Sequence, residues 1–247
     1  MRLFLSLIKR ELMPQKKISI LMRHQHLFLI KLPRVACVLF VILFILAMLM
    51  YAGGTINNPE SMGYSFTRNF FSDLGKFTAE NIISAMMFNL SLIVCGWSFA
   101  AYFFYFTKLF NQNTIIHILA KAGSFAGIIG ALSFIGVGLT PHNLFLNYHI
   151  VFVNWAFRSF LLTGILLTIV LYNDDRFENQ FAMGYFIFAI LTFLYVLVLE
   201  LAPDPKISDF SLIFNVVAQK IIVFTFITSI LYQSFGNSKL LIDHSIN

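Results

Sequence analysis

Six long apolar segments run through this chain, and they constrain its fold more than any other feature of the sequence. They lie at about 35–53, 82–106, 114–139, 148–172, 180–202 and 212–235. Each is close to the ~20 residues that an α-helix needs to cross the hydrocarbon core of a bilayer. Backbone polar groups cannot be left unpaired in lipid, so segments of this length predict helices. We therefore expect an all-α fold, a polytopic integral membrane bundle of six transmembrane helices.

The composition excludes an ordinary soluble domain, because 59% of the 247 residues are hydrophobic and only 11% are charged. A net charge of +6 would suit nucleic acid, but eight of the 17 Lys and Arg residues lie within residues 1–34. That placement leaves no folded domain with a basic surface, so we expect no nucleic-acid partner. It does suit contact with anionic membrane lipid.

The sequence divides into three parts. Residues 1–34 mix basic and apolar side chains around Pro14, which predicts a basic, amphipathic, interfacial segment on the cytoplasmic side. Residues 35–235 form the six-helix transmembrane domain, and residues 236–247 form a short cytoplasmic tail. The basic region is too long for a signal peptide and no A-x-A site follows it, so we expect no cleaved signal.

The distribution of Lys and Arg predicts the orientation. Eleven of the 17 lie on the side that both termini share, and three lie on the other side. Since positive residues favour the cytoplasmic side, both termini should be cytoplasmic. The outer loops are then 54–81, 140–147 and 202–211, and the first of these is long enough to fold over the mouth of the bundle.

Motifs for a cofactor are absent from the sequence. It contains no CxxC, no HExxH and no glycine-rich phosphate loop, so we expect no cofactor. Cys37 and Cys95 lie in apolar segments and are interpreted as packing residues. Small residues share one face in each of two spans, which predicts that the second and third spans pack closely. These residues are Ser84, Ser91, Cys95 and Ser98 in the second span, and Ala120, Gly123, Gly127, Gly130 and Gly138 in the third.

Charged residues within the spans are candidates for binding or buried pairing, because isolated charges are costly there. At helical spacing, Asn147, Asn154 and Arg158 share one face of the fourth span. We expect that face to point into the bundle, and we expect His149, on roughly the opposite side of the helix, to face another neighbour or the mouth of the bundle. Glu200 ends the fifth span and could pair with Arg158 or with Lys220 of the sixth. Arg158 and Lys220 then share Glu200 as their one deep acid, and the surplus positive charge favours an anionic ligand. The candidate ligand-binding residues are Arg158, Lys220, Asn154, Glu200 and His149.

The outer loops offer two further possibilities. Ser72 could act as a nucleophile with His149 as its base, and either Asp73 or Asp204 could orient the histidine. Alternatively, His142, His149 and Asp73 are residue types that can bind a metal ion. The sequence Ser72-Asp73-Leu74-Gly75 is equally typical of a plain turn or helix cap. Both chemical hypotheses require that the first outer loop bring Ser72 and Asp73 close to His149.

A resemblance to a known group rests on short motifs in these loops and spans. They are Phe71-Ser72-Asp73-Leu74-Gly75, Asn81, Phe88-Asn89, Gly96, Pro141 and His149. The chain resembles, over residues 35–235, a group of prokaryotic six-span membrane proteins of unknown function that is similar in layout to the Frag1/DRAM/Sfk1 membrane proteins. The resemblance implies a prokaryotic plasma membrane, and it implies that Ser72, Leu74, Gly75 and His149 act together. Sfk1-like proteins suggest lipid organisation, which is an analogy at the level of fold.

Three classes of function remain open from the sequence. The chain could bind or organise an anionic lipid or amphiphile from the outer leaflet. It could be a hydrolase or transferase that acts on a lipid head group. It could instead be a scaffold or accessory subunit with a membrane-protein partner and no ligand of its own. A binding protein requires a pocket open to lipid, an enzyme requires convergence of Ser72 and His149, and a scaffold requires every deep charge to be paired.

Overall fold

Seven helices make up the fold in the computed structural model, which describes residues 22–110 and 114–246, with side chains to residue 241. Most of the predicted basic segment, residues 1–21, lies outside the described residues. The helices are α1 (Met22–Leu49), the short α2 (Phe71–Leu74), α3 (Ile82–Phe106), α4 (Thr114–Leu139), α5 (Leu146–Tyr172), α6 (Asn179–Leu201) and α7 (Asp209–Ile246). Within the described ranges there is no strand, only one isolated bridge between Gly53 and Met62.

All the helices except α2 are long and apolar enough to cross a membrane. The predicted fold class is therefore confirmed, and the six apolar helices indicate an integral membrane protein. Consecutive long helices are joined by short connections apart from the segment 50–81. That segment carries α2 and lies over one end of the bundle, which we call the loop end. The opposite end, where α1 begins, is called here the terminal end.

The first and last long helices extend further than the sequence indicated. α1 begins at Met22 and includes a π-helical stretch, Leu27–Lys31, so residues 22–34 continue into the first span. α7 does not stop near residue 235 but continues to Ile246. The two extensions pack on each other, since Asn237 Nδ2 donates to the carbonyl of Leu29. Arg34 likewise donates to the hydroxyl and the carbonyl of Ser234.

Close packing between α3 and α4 depends on glycine. A Cβ atom at Gly127 of α4 would lie 2.6 Å from the ring of Phe103 on α3, and one at Gly96 of α3 would lie 2.7 Å from the carbonyl oxygen of Ala131. The predicted contact between the second and third spans is confirmed at these positions. Phenylalanine rings thus fill the space that the missing side chains leave.

The sequence predicted that the serine and cysteine face of α3 packs on α4, and this prediction is wrong for Ser84 and Cys95. Ser84 Oγ donates to the carbonyl of Ala47, and Cys95 Sγ contacts the carbonyl of Ala36. Both acceptors belong to α1, so this face packs on α1 and not on α4. The physical reason is that hydroxyl and thiol groups in an apolar interior are paired with backbone carbonyls of the helix they face.

Candidate functional site

The segment 50–81 at the loop end is folded around one buried side chain. Asn69 is fully buried, and its Nδ2 donates to the carbonyl of Gly54 at 2.7 Å and to Asp73 Oδ2 at 3.1 Å. Gly54 has a φ of +87°, a conformation that glycine adopts without strain. The segment is fixed to the bundle where the backbone N–H of Phe71 donates to Gln219 Oε1 of α7 at 2.7 Å. As predicted from its length, the loop folds over the end of the bundle.

Lys220, next to Gln219 on α7, lies beneath this loop and is only 2% exposed. Its Nζ donates to the carbonyl of Asn69 at 2.6 Å. Three aromatic rings surround the ammonium, with centroids 4.7 Å away at Phe71, 5.1 Å at Phe66 and 5.4 Å at Tyr64. Ring faces attract a cation, so the loop supplies a cage that stabilises a buried positive charge.

No carboxylate in the described part of the chain lies within 4.0 Å of Lys220 Nζ. The predicted alternative in which Lys220 pairs with Glu200 is therefore wrong. Lys220 is held by a carbonyl dipole and by aromatic rings, and its charge has no direct anionic partner. A buried cation in this position carries a desolvation penalty that an anion would offset.

Asp73, on the same loop, is engaged by other groups. Its side chain is 3% exposed, its Oδ1 lies 2.8 Å from Lys76 Nζ and 3.4 Å from His142 Nε2, and its Oδ2 accepts from the N–H of Phe70 at 2.8 Å. Burial on its own raises the pKa of Asp73, but the contacts from His142, Lys76 and Asn69 outweigh burial and hold that pKa below its usual value. Asp73 is therefore a carboxylate at neutral pH.

His142 and His149 meet beside this carboxylate. Their rings lie edge to face with centroids 5.9 Å apart, and His149 is buried. His149 Nδ1 lies 2.7 Å from the carbonyl oxygen of Thr140. A carbonyl can only accept a hydrogen bond, so Nδ1 carries the hydrogen and Nε2 is the nitrogen with a free lone pair in the neutral ring. The loop thus brings Asp73, His142 and His149 together.

Ser72 and His149 line the same small cavity at the centre of the bundle, with Gln219 as the third polar group of its wall. The cavity measures about 60 Å³, and most of its other walls are phenylalanine and aliphatic side chains. This is space for about two water molecules, whose share of liquid volume is ~30 Å³ each. A lipid head group does not fit in it without movement of the loop.

The predicted metal and triad geometries are not formed as the sequence indicated. No three His, Cys, Asp or Glu side chains among the described residues are placed to hold a metal ion, which contradicts the hypothesis for His142, His149 and Asp73. Asp73 contacts His142 and not His149, whose ring is held by the Thr140 carbonyl. The loop brings the Asp73 carboxylate to His142, whereas the backbone carbonyl of Thr140 orients His149.

Arg158 faces the opposite way from the sequence prediction. Its side chain is 48% exposed, Asn147 of the same face is also exposed, and His149 is buried. The Arg158 guanidinium forms an ion pair with the Glu200 carboxylate of α6, whose side chain is 49% exposed. The predicted ion pair is therefore present, but it lies on the exposed surface of the helix bundle and not in its interior. The long arginine stem allows this, because it carries the charge along the helix towards the membrane surface.

The five predicted ligand-binding residues do not form one site. Arg158 and Asn154 line a surface groove between α4 and α5, and Glu200 lies outside that groove on α6. Lys220 lies under the segment 50–81, and His149 lines the central cavity. Tyr64, Phe66 and Asn69 were missed. The signal that could have indicated them is the density of aromatic residues in the loop between Tyr64 and Phe71.

A large apolar groove between α6 and α7 ends at Lys220. Its volume is about 740 Å³, and it runs along α7 from Val217 to Tyr232, which is about 22 Å at 1.5 Å per residue. Phe66 of the outer loop forms the rim beside Lys220. Gly184 of α6 widens the other end, where Tyr232 lies. Methionine, isoleucine, leucine, valine and phenylalanine make up half of the lining residues.

Comparison with known proteins does not assign this site: no family model matches the chain, and neither a curated protein nor a solved structure is significantly similar to it. The resemblance to the six-span group therefore stays a prediction.

Proposed function

We propose that this chain is a multi-pass membrane protein that binds or organises an anionic lipid or amphiphile, with the anion at Lys220 and the tail in the groove between α6 and α7. The observation that carries the proposal is the continuity of the groove with a buried lysine that has no carboxylate partner within the described residues. A groove of about 22 Å is longer than one leaflet of a ~30 Å hydrocarbon core, so it can hold an extended acyl chain.

The chemistry of the lysine favours an anionic head group. An ammonium has three N–H donors, and Lys220 uses one of them on the carbonyl of Asn69. The others are available to a phosphate or carboxylate oxygen at the rim formed by Phe66. Charge-assisted hydrogen bonds of this kind are about twice as strong as neutral ones, and low local polarity strengthens them further.

The orientation of the protein belongs to the same proposal. With both termini cytoplasmic in a prokaryotic plasma membrane, the loop end faces outward and Lys220 lies about 16 Å along α7 from Asp209. The groove runs from Lys220 towards the terminal end, so an amphiphile would reach Lys220 sideways from the bilayer with its tail in the half of the membrane nearer the termini. The shared side of the termini and the excess of Lys and Arg there support this orientation.

The proposal is tested by lipid retention in nanodiscs of equal parts phosphatidylglycerol and phosphatidylcholine, measured by native mass spectrometry. We expect one retained phosphatidylglycerol in the wild-type protein and its loss in Lys220→Met, which keeps the length of the side chain. Lys121→Met is the matched control, because Lys121 is exposed on α4 away from the groove. Equal retention in Lys220→Met and Lys121→Met would contradict the proposal.

A second variant tests the groove without touching the charge. Thr228 is an exposed residue of the groove wall, and Thr228→Trp would fill the space with an indole ring. We expect this variant to fold and to lose the retained lipid. If it retains the lipid at wild-type level, the tail does not lie in this groove.

Hydrolysis or transfer of a lipid head group is the second candidate function, and the observation that favours it is the cavity shared by Ser72 and His149. This activity would need the loop to open, because the cavity is small. Purified protein would be incubated with mixed phospholipid vesicles, and head-group release would be compared between the wild type and Ser72→Ala. Release that Ser72→Ala does not lower would exclude Ser72 as the nucleophile. A scaffold with a membrane-protein partner is the third candidate, but the lack of a carboxylate within 4.0 Å of Lys220 Nζ among the described residues favours a ligand.

A further inference from the structure

The ion pair between Arg158 and Glu200 occupies an unusual position for a structural contact. Both side chains are about half exposed, at 48% and 49%, on the outer surface of two transmembrane helices. An exposed ion pair contributes little stability by itself, and charges on the surface of membrane spans are rare. Arg158 uses only Nη2 on Glu200, and no other hydrogen bond of its guanidinium is found among the described residues. Donors of the arginine and an oxygen of the glutamate therefore remain available.

Arg158 also lines a second large groove. It lies between α4 and α5, has a volume of about 790 Å³, and is walled by apolar side chains including Phe125, Ile129 and Leu162. Asn154 supplies a polar group next to Arg158, one turn away on the same helix. Trp155, which is 58% exposed, belongs to the same wall, and tryptophan is enriched at the level of lipid head groups.

We propose that this surface is a second lipid site, specific for a zwitterionic phospholipid whose head group carries a phosphate and a primary ammonium. The phosphate accepts hydrogen bonds from the free donors of Arg158. The ammonium donates to the free oxygen of Glu200. One acyl chain lies in the groove between α4 and α5. This site does not involve Lys220 and is independent of the anion site proposed above.

The order of charges along the surface matches the order of groups in such a lipid. Arg158 belongs to the wall of the groove that takes the tail, and Glu200 lies beyond it on α6, outside the groove. In a phospholipid the phosphate is next to the glycerol and the tails, and the ammonium is at the far end. The tail in the groove therefore places the phosphate at the arginine and the ammonium at the glutamate.

Other head groups fit less well for stated reasons. A purely anionic head group would bring its phosphate to Arg158 and place a second negative charge near Glu200, with no ammonium to offset it. A quaternary ammonium has no N–H to donate to the carboxylate. An arginine binds phosphate with a planar fork of donors, so this residue type also suits the first half of the head group.

The test uses nanodiscs of equal parts phosphatidylethanolamine, phosphatidylglycerol and phosphatidylcholine, with retained lipids identified by native mass spectrometry. We expect the wild-type protein to retain phosphatidylethanolamine over phosphatidylcholine. The decisive variant is the charge exchange Arg158→Glu with Glu200→Arg. It preserves an ion pair, so the unfolding temperature should stay close to that of the wild type, but it reverses the order of charges relative to the groove. Retention of phosphatidylethanolamine should fall roughly tenfold or more.

Two matched variants complete the test. Leu162→Trp fills the groove at an exposed position and should lower phosphatidylethanolamine retention while leaving the ion pair intact. Lys220→Met should leave phosphatidylethanolamine retention unchanged, which separates this site from the anion site. The proposal is overturned if the charge exchange retains phosphatidylethanolamine as well as the wild type does. Equal retention of phosphatidylcholine and phosphatidylethanolamine by the wild type would overturn it as well.

Discussion

Lys220 Nζ of the last helix donates a 2.6 Å hydrogen bond to the backbone carbonyl of Asn69, 151 residues earlier in the chain. The neighbouring Gln219 accepts from the N–H of Phe71. Two consecutive side chains of α7 thus fix the segment 50–81 to the bundle. The same contacts close the central cavity and form the cage around the lysine, so loop position and lysine environment are coupled.

Asn69→Ala should loosen this loop. The substitution removes the donor to the Gly54 carbonyl and to Asp73, and it leaves the N–H of Ser65 without its acceptor, which costs about 1–3 kcal/mol. We expect a lower unfolding temperature in detergent and faster labelling of a cysteine introduced at Ser72. Asn57→Ala, at an exposed position of the same loop, should change neither quantity. A Ser72→Cys thiol labelled equally slowly with and without Asn69→Ala would argue against Asn69 as the centre of the loop.

The stabilising effect of Asp73 should depend on pH with a defined sign. Its pKa in the folded protein lies below the usual value for an aspartate, so the carboxylate stabilises the fold above about pH 4 and loses that effect as the pH falls through the folded pKa. Asp73→Asn should therefore lower the unfolding temperature at pH 7. The difference from the wild type should shrink below about pH 4.

The control for that titration is Asp175→Asn, since Asp175 is exposed in the connection between α5 and α6. It should follow the wild-type curve across the same pH range. A difference between wild type and Asp73→Asn that grows on acidification would show that the folded pKa of Asp73 is raised and not lowered.

Gly127→Ala should destabilise the contact between α3 and α4. The added methyl group would lie 2.6 Å from the Phe103 ring, which is only 1% exposed and cannot move without displacing its neighbours. Overpacking of this kind costs about 1–3 kcal/mol. Thermal unfolding in detergent measures the effect, and Ala122→Val, which adds volume to the exposed face of α4, should unfold close to the wild-type temperature.

The proposed orientation predicts a one-sided labelling pattern. Lys206 lies in the connection between α6 and α7, on the side away from the termini, so a Lys206→Cys variant should react with a membrane-impermeant reagent added outside intact cells. Asp175→Cys, on the side of the termini, should react only after the membrane is opened. The reverse labelling pattern would show that the protein has the opposite orientation in the membrane.

The sequence alone was sufficient for the six spans, because a run of apolar residues of bilayer length is a local property. It also indicated Glu200 as the partner of a deep cation, but it left open whether that cation is Arg158 or Lys220. The length of the first outer loop was enough to predict that it covers the bundle. Each of these inferences depends on composition over a short stretch of chain.

Which way each helix faces was decided only by the tertiary structure. In a soluble helix the polar face points to water, but here the outer surface is apolar as well, as the exposed Val38, Leu90 and Phe125 illustrate. Helical periodicity therefore placed Asn147, Asn154 and Arg158 on one face without indicating whether that face points in or out. Inter-helix contacts settled it: His149 packs inward under the loop, and Arg158 reaches outward to Glu200.

The contacts of Lys220 likewise could not be predicted from the sequence. Its hydrogen-bond acceptor is a backbone carbonyl, which every residue possesses, and its cage combines rings from a loop far away in the chain. Groups of this kind carry no local pattern, because their roles arise when distant segments pack together. Local hydrophobicity determined the spans of this protein, and the packing of distant segments determined which of its charges are paired and which face an open groove.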